Sequence, residues 1–215
     1  MLARGVKILL RRNGLRGQKR LSSRPDLRHQ PGMAKTKKSA AVARGDILTM
    51  TLTPIGIVHS PHQQATGTPI QAAGAAGVTG TVEIYPEDAA GLRDLEGFER
   101  SWLVYWFDRA KLAELVVTPY QDTRPHGLFA TRAPCCPNPI GLSCVRLFEV
   151  GGSILHVEGL DMLDNTPLLD IKPYIRAFAA LETKRVGWCA DVESRAAVAD
   201  GRFESDGRGP KRSGA

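Results

Sequence analysis

No run of 18 apolar residues occurs in the 215-residue chain, which excludes a single-helix membrane span. No G-x-G-x-x-G follows a strand-like run, so the phosphate-binding turn of a Rossmann cofactor domain is not written here. Cysteine is sparse, with only Cys135, Cys136, Cys144 and Cys189. These four lack the density of a secreted disulfide framework and the C-x₂₋₄-C pairing of a zinc site, and the five histidines show no ligand spacing. Reduced thiols, no metal and a cytoplasmic protein are therefore expected. Acid is almost missing from the first 44 residues, where 13 Lys/Arg accompany the single Asp26; the remaining 171 residues hold 16 basic and 21 acidic side chains, a net of −5. The overall charge of +7 thus belongs to the N-terminal arm, and the rest of the chain carries no strong nucleic-acid signature.

That asymmetry divides the chain. Residues 1–48 are expected to form a basic, disordered extension: an RNA-binding arm, a targeting piece, or a stretch ahead of a true first residue at Met33 or Met50. Residues 49–192 supply one domain of ordinary size. Residues 193–215, polar and dotted with glycine, are expected to be a disordered tail.

Within the domain, short strand-like runs dominate. "TLTPIGIVHSP" opens it, and "TVEIY" (81–85) alternates. "PEDAAGLRDLEGFER" has proline and acids at its start and predicts a short helix. "SWLVYWF" (101–107) is apolar at nearly every position, as in a strand buried on both faces. "AELVVTPY" (113–120) predicts a further strand, and "GLSCVRLFEV" and "GGSILHVEGL" predict two strands joined at Gly151-Gly152, with His156 a packed residue among them. Many short strands and few helices give a mainly β fold, a compact single-domain β-barrel.

Two stretches carry chemistry. In "FATRAPCCPNPIGLS" each proline fixes its own φ and restrains the residue before it, so Cys136 and Asn138 sit in stiff backbone and Gly141 leaves room for close approach. Arg124, His126 and Arg132 crowd the same turn, the usual form of a site held by rigid neighbours. A plain structural turn between strands is the alternative. In "LDMLDNTPLLDIKPY" (160–174), Asp164 and Asn165 are explained by turn chemistry. Asp161, Asp164 and Asp170 do not have the spacing of a calcium loop. Asp170, Lys172 and Tyr174 alternate onto one face of an extended segment.

With "PIGIVHSP", Gln71, "LEGFERSWLVYWF", "HGLFATRAPCCPNPIGLS" and "DNTPLLDIKPYI" in this order over residues 52–190, the sequence resembles the TsaA-like (TrmO) family of tRNA methyltransferases. The resemblance implies a β-barrel unlike the Rossmann methyltransferases, a homodimer, and S-adenosylmethionine as methyl donor. The implied acceptor is N6 of threonylcarbamoyladenosine in the tRNA anticodon loop. By matching positions it implies cofactor contacts at Gln71, Ala72, Ala73, Asp108, Arg109, Arg132, Cys136, Asn138, Leu147, Asp164, Asn165, Thr166 and Pro167. Three positions depart from the family pattern: Ala72-Ala73 replaces Pro-Gly, Asp108 replaces His, and Cys136 replaces Arg, leaving Arg109 and Arg132 to supply positive charge. For catalysis, Asp164 or Asp170 is expected to accept the N6 proton, with Lys172 and Tyr174 orienting the substrate. The alternatives are another acceptor on the same fold and a non-catalytic cofactor- or RNA-binding module.

Overall fold

The computed structural model describes residues 6–11, 47–194 and 198–205. It divides into two units, Val6–Leu52 and the rest of the chain. The first is an antiparallel ribbon of β1 (Val6–Arg11) and β2 (Ile47–Leu52), with Val6 opposite Leu52 and Arg11 opposite Ile47. These strands use "VKILLR" and "ILTMTL", two apolar runs at either end of the basic segment; the rest of the extension, 1–5 and 12–46, lies outside the described residues.

The second unit is built on a closed six-stranded barrel. Its strands are β3 (Gly56–His59), β4 (Thr79–Ile84), β5 (Arg100–Trp106), β8 (Ile140–Gly151), β9 (Ile154–Glu158) and β10 (Thr166–Pro173), in the order β10-β3-β4-β9-β8-β5, every pair antiparallel. Between β5 and β8 lies a small hairpin, β6 (Val116–Val117) with β7 (His126–Gly127). The mainly β, non-Rossmann architecture expected from the sequence is the one observed.

A barrel this narrow has no lumen, and alternate side chains fill it. Val58, Val82, Ile84, Leu103, Tyr105, Val145, Leu147, Leu155, Val157 and Leu168 form that core, all less than 9% exposed. Each buried aliphatic residue contributes about 1.5–3 kcal/mol relative to leaving it in water. A register shift between Leu168 and Asp170 lets both Leu168 and Ile171 pack against the core, as an extra residue in a strand allows. A second, smaller cluster gathers Val117, Leu128, Ala133, Cys135 and Phe203, with Tyr120 and Cys136 against it.

Several local expectations differ from the structure. The helix expected at 86–100 is two 3₁₀ turns, Ala89–Leu92 and Leu95–Gly97, separated by Asp94 at φ 66°; one left-handed residue between two glycines stops a costly helix nucleus from propagating. Of "AELVVTPY" only Val116–Val117 is strand. "SWLVYWF" alternates, with Ser101, Leu103 and Tyr105 inside and Trp102, Val104 and Trp106 half-buried outside. His156 is exposed on the outer face. The polar tail is described at 198–205, where Phe203 is buried in the second cluster and Val198 and Glu204 bridge to Pro69 and Ala110. One aromatic in a polar stretch anchors it; 206–215 lie outside the described residues.

Candidate functional site

The ends of β3, β5 and β9 and the starts of β4, β8 and β10 form one mouth of the barrel, and most of the polar groups singled out above converge there. The turn before β10 is laced to the segment after β3. Ser60 N–H donates to Asp164 Oδ1 at 3.1 Å, Ser60 Oγ donates to the Met162 carbonyl at 2.7 Å, and Asp164 N–H donates to the His62 carbonyl at 2.7 Å. Asn165 takes the left-handed conformation, φ 61°, which asparagine tolerates, and its amide donates to Asp164 Oδ2 at 2.8 Å. Both carboxylate oxygens of Asp164 thus accept a bond from the fold, Oδ1 from Ser60 after β3 and Oδ2 from Asn165 in the turn.

Arg109, just beyond β5, clamps this turn. Its Nη2 donates to the Asp164 carbonyl at 2.8 Å and to Thr166 Oγ1 at 3.1 Å, while Nε reaches Asp108 Oδ1 at 3.3 Å. Burial raises the Asp108 carboxyl above its ordinary range, and the Arg109 guanidinium opposes that rise. Arg109 therefore spends its donors on the fold, and Arg132 is the more exposed cation. Arg132 Nη1 donates to Gln71 Oε1 at 2.7 Å, tying the PNPIG segment to the 3₁₀ turn Ala72–Gly74.

Deeper in the same mouth is a group that motif reading passed over. Ser143 Oγ donates to Asp161 Oδ1 at 2.6 Å, and Tyr105 OH lies 3.1 Å from Ser143 Oγ. Because the serine proton is committed to the carboxylate, the phenol is the donor to serine. Burial pushes the Asp161 carboxyl up to about 6, against donors that include Ser143 and the backbone of Ala72 and against the charge of Arg132. Burial, with the Asp161 charge, also raises the Tyr105 phenol. The signal available in the sequence was Ser143, which falls on the inward face with Gly141, Val145 and Leu147. A buried hydroxyl in a barrel needs a partner.

The stiff "APCCPNPIG" stretch joins the second cluster to the barrel. Ala133 and Cys135 are buried in the cluster, the Cys136 thiol donates to the Ala133 carbonyl at 3.2 Å, and Gly141 opens the inward face of β8 under the Tyr105 ring. What this backbone holds in place is Arg132. The neighbouring loop is locked too: Asp122 accepts from Thr123 N–H at 2.7 Å, from Arg124 Nη2 at 3.1 Å and bonds His126 Nε2 at 3.0 Å. Those partners, Arg124 first, hold the Asp122 carboxyl well below the usual range. The His126 ring stacks on Trp188 at 4.6 Å, and Trp188 Nε1 donates to the Ala130 carbonyl at 2.7 Å.

The structure thus brings together Gln71, Ala72, Arg132, Asp161, Asp108, Arg109 and the 164–166 turn, with Ala73 and Pro167 adjoining. It leaves others apart. Cys136 faces the second cluster, and Asn138 is exposed, using its carbonyl to accept from Ile140 N–H at 2.8 Å. Leu147 is buried in the core opposite Val157 of β9, its N–H given to the Glu99 carbonyl at 2.8 Å. Asp170, Lys172 and Tyr174 lie toward the opposite mouth, since six residues of strand separate Thr166 from Lys172, about 20 Å. There Lys172 Nζ meets Asp170 Oδ2 at 2.6 Å and the Tyr174 ring sits 5.8 Å from Trp102. Burial raises the Cys135, Cys136 and Cys144 thiols, the opposite of nucleophile activation. Among the described residues no His/Cys/Asp/Glu group has the arrangement of a metal site, and no helix is long and apolar enough to cross a membrane.

Comparison with known proteins agrees with this architecture. Residues 57–180 match the tRNA-methyltransferase O N-terminal domain. A probable S-adenosyl-L-methionine-binding protein of Pyrococcus abyssi is 50% identical over 154 residues, covering 71% of this chain and 84% of that protein. A mouse tRNA (adenine(37)-N6)-methyltransferase is 33% identical over 142 residues, 63% of this chain and 32% of the mouse protein. The crystal structure of TrmO from Pseudomonas aeruginosa superposes with a TM-score of 0.57 at 34% identity, covering 67% of this chain. This chain spans 63% of that crystallised chain. On the match over more than half its length, the chain belongs to the tRNA-methyltransferase O family.

Proposed function

We propose that this chain is an S-adenosylmethionine-dependent tRNA methyltransferase that modifies N6 of threonylcarbamoyladenosine beside the anticodon. The observation that carries the reading is the mouth itself, where an exposed guanidinium, Arg132, and a half-buried carboxyl, Asp161, flank the Gln71 amide and the backbone of the Ala72–Gly74 turn. That donor set fits a zwitterionic cofactor. Arg132 suits its carboxylate, Asp164 suits its cationic centres, and Gln71 with the 71–74 backbone suits its nucleoside polar edges. When bound, the cofactor supplies an electrophilic methyl group, and the protein's task is to orient it and handle one proton. Family membership, the names of the mouse and Pyrococcus abyssi relatives, and this mouth support the reading together. The departure at Cys136 turns into the second cluster, so it does not remodel the mouth.

The acceptor base sits in the single-stranded anticodon loop, where it is free to splay out. A test offers the full chain radiolabelled S-adenosylmethionine and two tRNA pools, one normal and one lacking threonylcarbamoyl. The full chain is needed because Phe203 completes the second cluster. Label is expected in the normal pool alone. Label in both pools would make plain adenosine the acceptor, and label in neither would remove the tRNA reading.

The protein is also proposed to be a homodimer. On the outer face of β10, β5 and β8, Trp106 pairs with Ile140, Val104 with Leu142 and Trp102 with Cys144, with Ile140 41% and Leu142 53% exposed. This apolar sheet face starts at the rim of the mouth and ends beside Lys172 and Tyr174. A second copy docking there would bury it. A catalytic role for Asp170, Lys172 or Tyr174 requires such a copy, because within one chain they lie toward the other end of the barrel. Leu142→Arg is expected to convert a dimer to a monomer in sedimentation equilibrium without unfolding it. A monomeric wild type, or an unchanged dimer in the variant, would remove this face as the interface.

A further inference from the structure

We infer that Asp161 is the proton acceptor for the methyl transfer, held in place by the Tyr105–Ser143 hydrogen-bond chain. This rests on the methyltransferase reading above and deepens it. The carboxylates expected to serve are unsuited by position. Asp164 has Oδ1 on Ser60 N–H and Oδ2 on the Asn165 amide. Asp170 is bridged to Lys172 at 2.6 Å, toward the opposite mouth. Asp108 is paired with Arg109 at 3.3 Å.

Asp161 has no ion-pair partner among the described residues. It lies at the cofactor-side turn, with a short bond from Ser143. The charged and titratable groups that face it are Tyr105 from β5 and Arg132 from the segment before β8. Burial leaves its carboxylate more basic than an exposed aspartate while still ionised near neutral pH. That is the basicity a general base at this pH requires. The step balances without another reactant. The N6–CH₃ bond forms as the S–CH₃ bond breaks, the electron pair of the broken bond remains on sulfur, and the N6 proton passes to the Asp161 carboxylate and then to solvent.

The test combines two readouts on the full chain. In ¹³C-aspartate NMR of the protein without cofactor, one carboxyl resonance is expected to titrate near 6. It should vanish in Asp161→Asn and move upward in Ser143→Ala, which removes a donor from the charged form. In methyl transfer, kcat/KM of the wild type is expected to rise with pH through that same value. Its acid limb should move up in Ser143→Ala and track the NMR titration. Asp161→Asn should lower turnover on the order of 100-fold while calorimetric S-adenosylmethionine affinity stays within a few-fold. Turnover retained in Asp161→Asn, or an acid limb that ignores Ser143→Ala, would overturn the assignment. A wild type inert toward every tRNA pool would instead overturn the underlying reading, a distinguishable result. If Asp161→Asn folds poorly, Ser143→Ala alone decides by whether the two titrations move together.

Discussion

Gly141→Ala is expected to unfold at a markedly lower urea concentration than the wild type, although it adds a single methyl group. A Cβ at this position would stand 2.3 Å from both Cε2 and Cζ of Tyr105 and 2.8 Å from its hydroxyl oxygen. The ring has little room to retreat. Tyr105 is 3% exposed, its edge meets Phe107 with centroids 5.1 Å apart, and its hydroxyl is bonded to Ser143. Overpacking of a filled core costs about 1–3 kcal/mol, and breaking the phenol–serine bond adds about 0.5–1.5 kcal/mol. Against this, alanine reduces the entropy of the unfolded chain by about 0.4–1 kcal/mol. The net expectation is a loss of about 0.5–4 kcal/mol, read from the midpoint at constant m-value. Adding Tyr105→Leu should recover part of it, so that the double variant is more stable than the two single losses predict. A wild-type midpoint in Gly141→Ala would mean that the ring moves freely and that the close approach has no energetic weight.

That glycine also shows what was legible beforehand. The need for close approach at the end of PNPIG follows from the residue types alone, but its partner, Tyr105, is 36 positions away in a strand whose register only the closed sheet defines. Alternation located β4, and apolar strand-like runs located β8 and β9, but "SWLVYWF", apolar at nearly every position, marked β5 as a strand without showing which face turns inward. The same rule could not say that the barrel's stagger sends the start of β10 to one mouth and Asp170, Lys172 and Tyr174 toward the other. Two motifs adjacent in a sequence comparison therefore part company in space. Asp161 was visible only as one of three nearby carboxylates. Its distinctive environment comes from β5, β8 and the Ala72 turn together, three segments with no local signature in common. The tail failed for the converse reason, since a single Phe203 carries its packing and composition averages such a residue away.

Asp161→Asn is expected to make the protein more stable relative to wild type as the pH rises from 4 to 8, even though it lowers turnover. Burial lifts this carboxyl from 3.8 to about 6, more than Ser143 and the backbone donors lower it. In the folded state it holds its proton to a higher pH than in the unfolded chain. A group with that sign contributes stability that is fully present below the unfolded value and is lost as pH climbs through the folded one. The gap corresponds to about 3 kcal/mol between pH 4 and pH 8. Asparagine keeps an oxygen to accept from Ser143 and cannot ionise, so this pH-dependent loss is absent from the variant. All other titrating groups are shared, and they cancel in the difference between the two proteins. The measurement is urea unfolding of both at several pH values, without cofactor or tRNA. The difference in stability should grow in favour of Asp161→Asn through the window from 4 to about 6 and then level off. A difference that stays flat across that window would show that Asp161 ionises like an exposed aspartate. A rising one would mean that the mouth keeps a costly charge where an uncharged isostere fits, a sacrifice of stability expected at a reacting site and not at a structural turn.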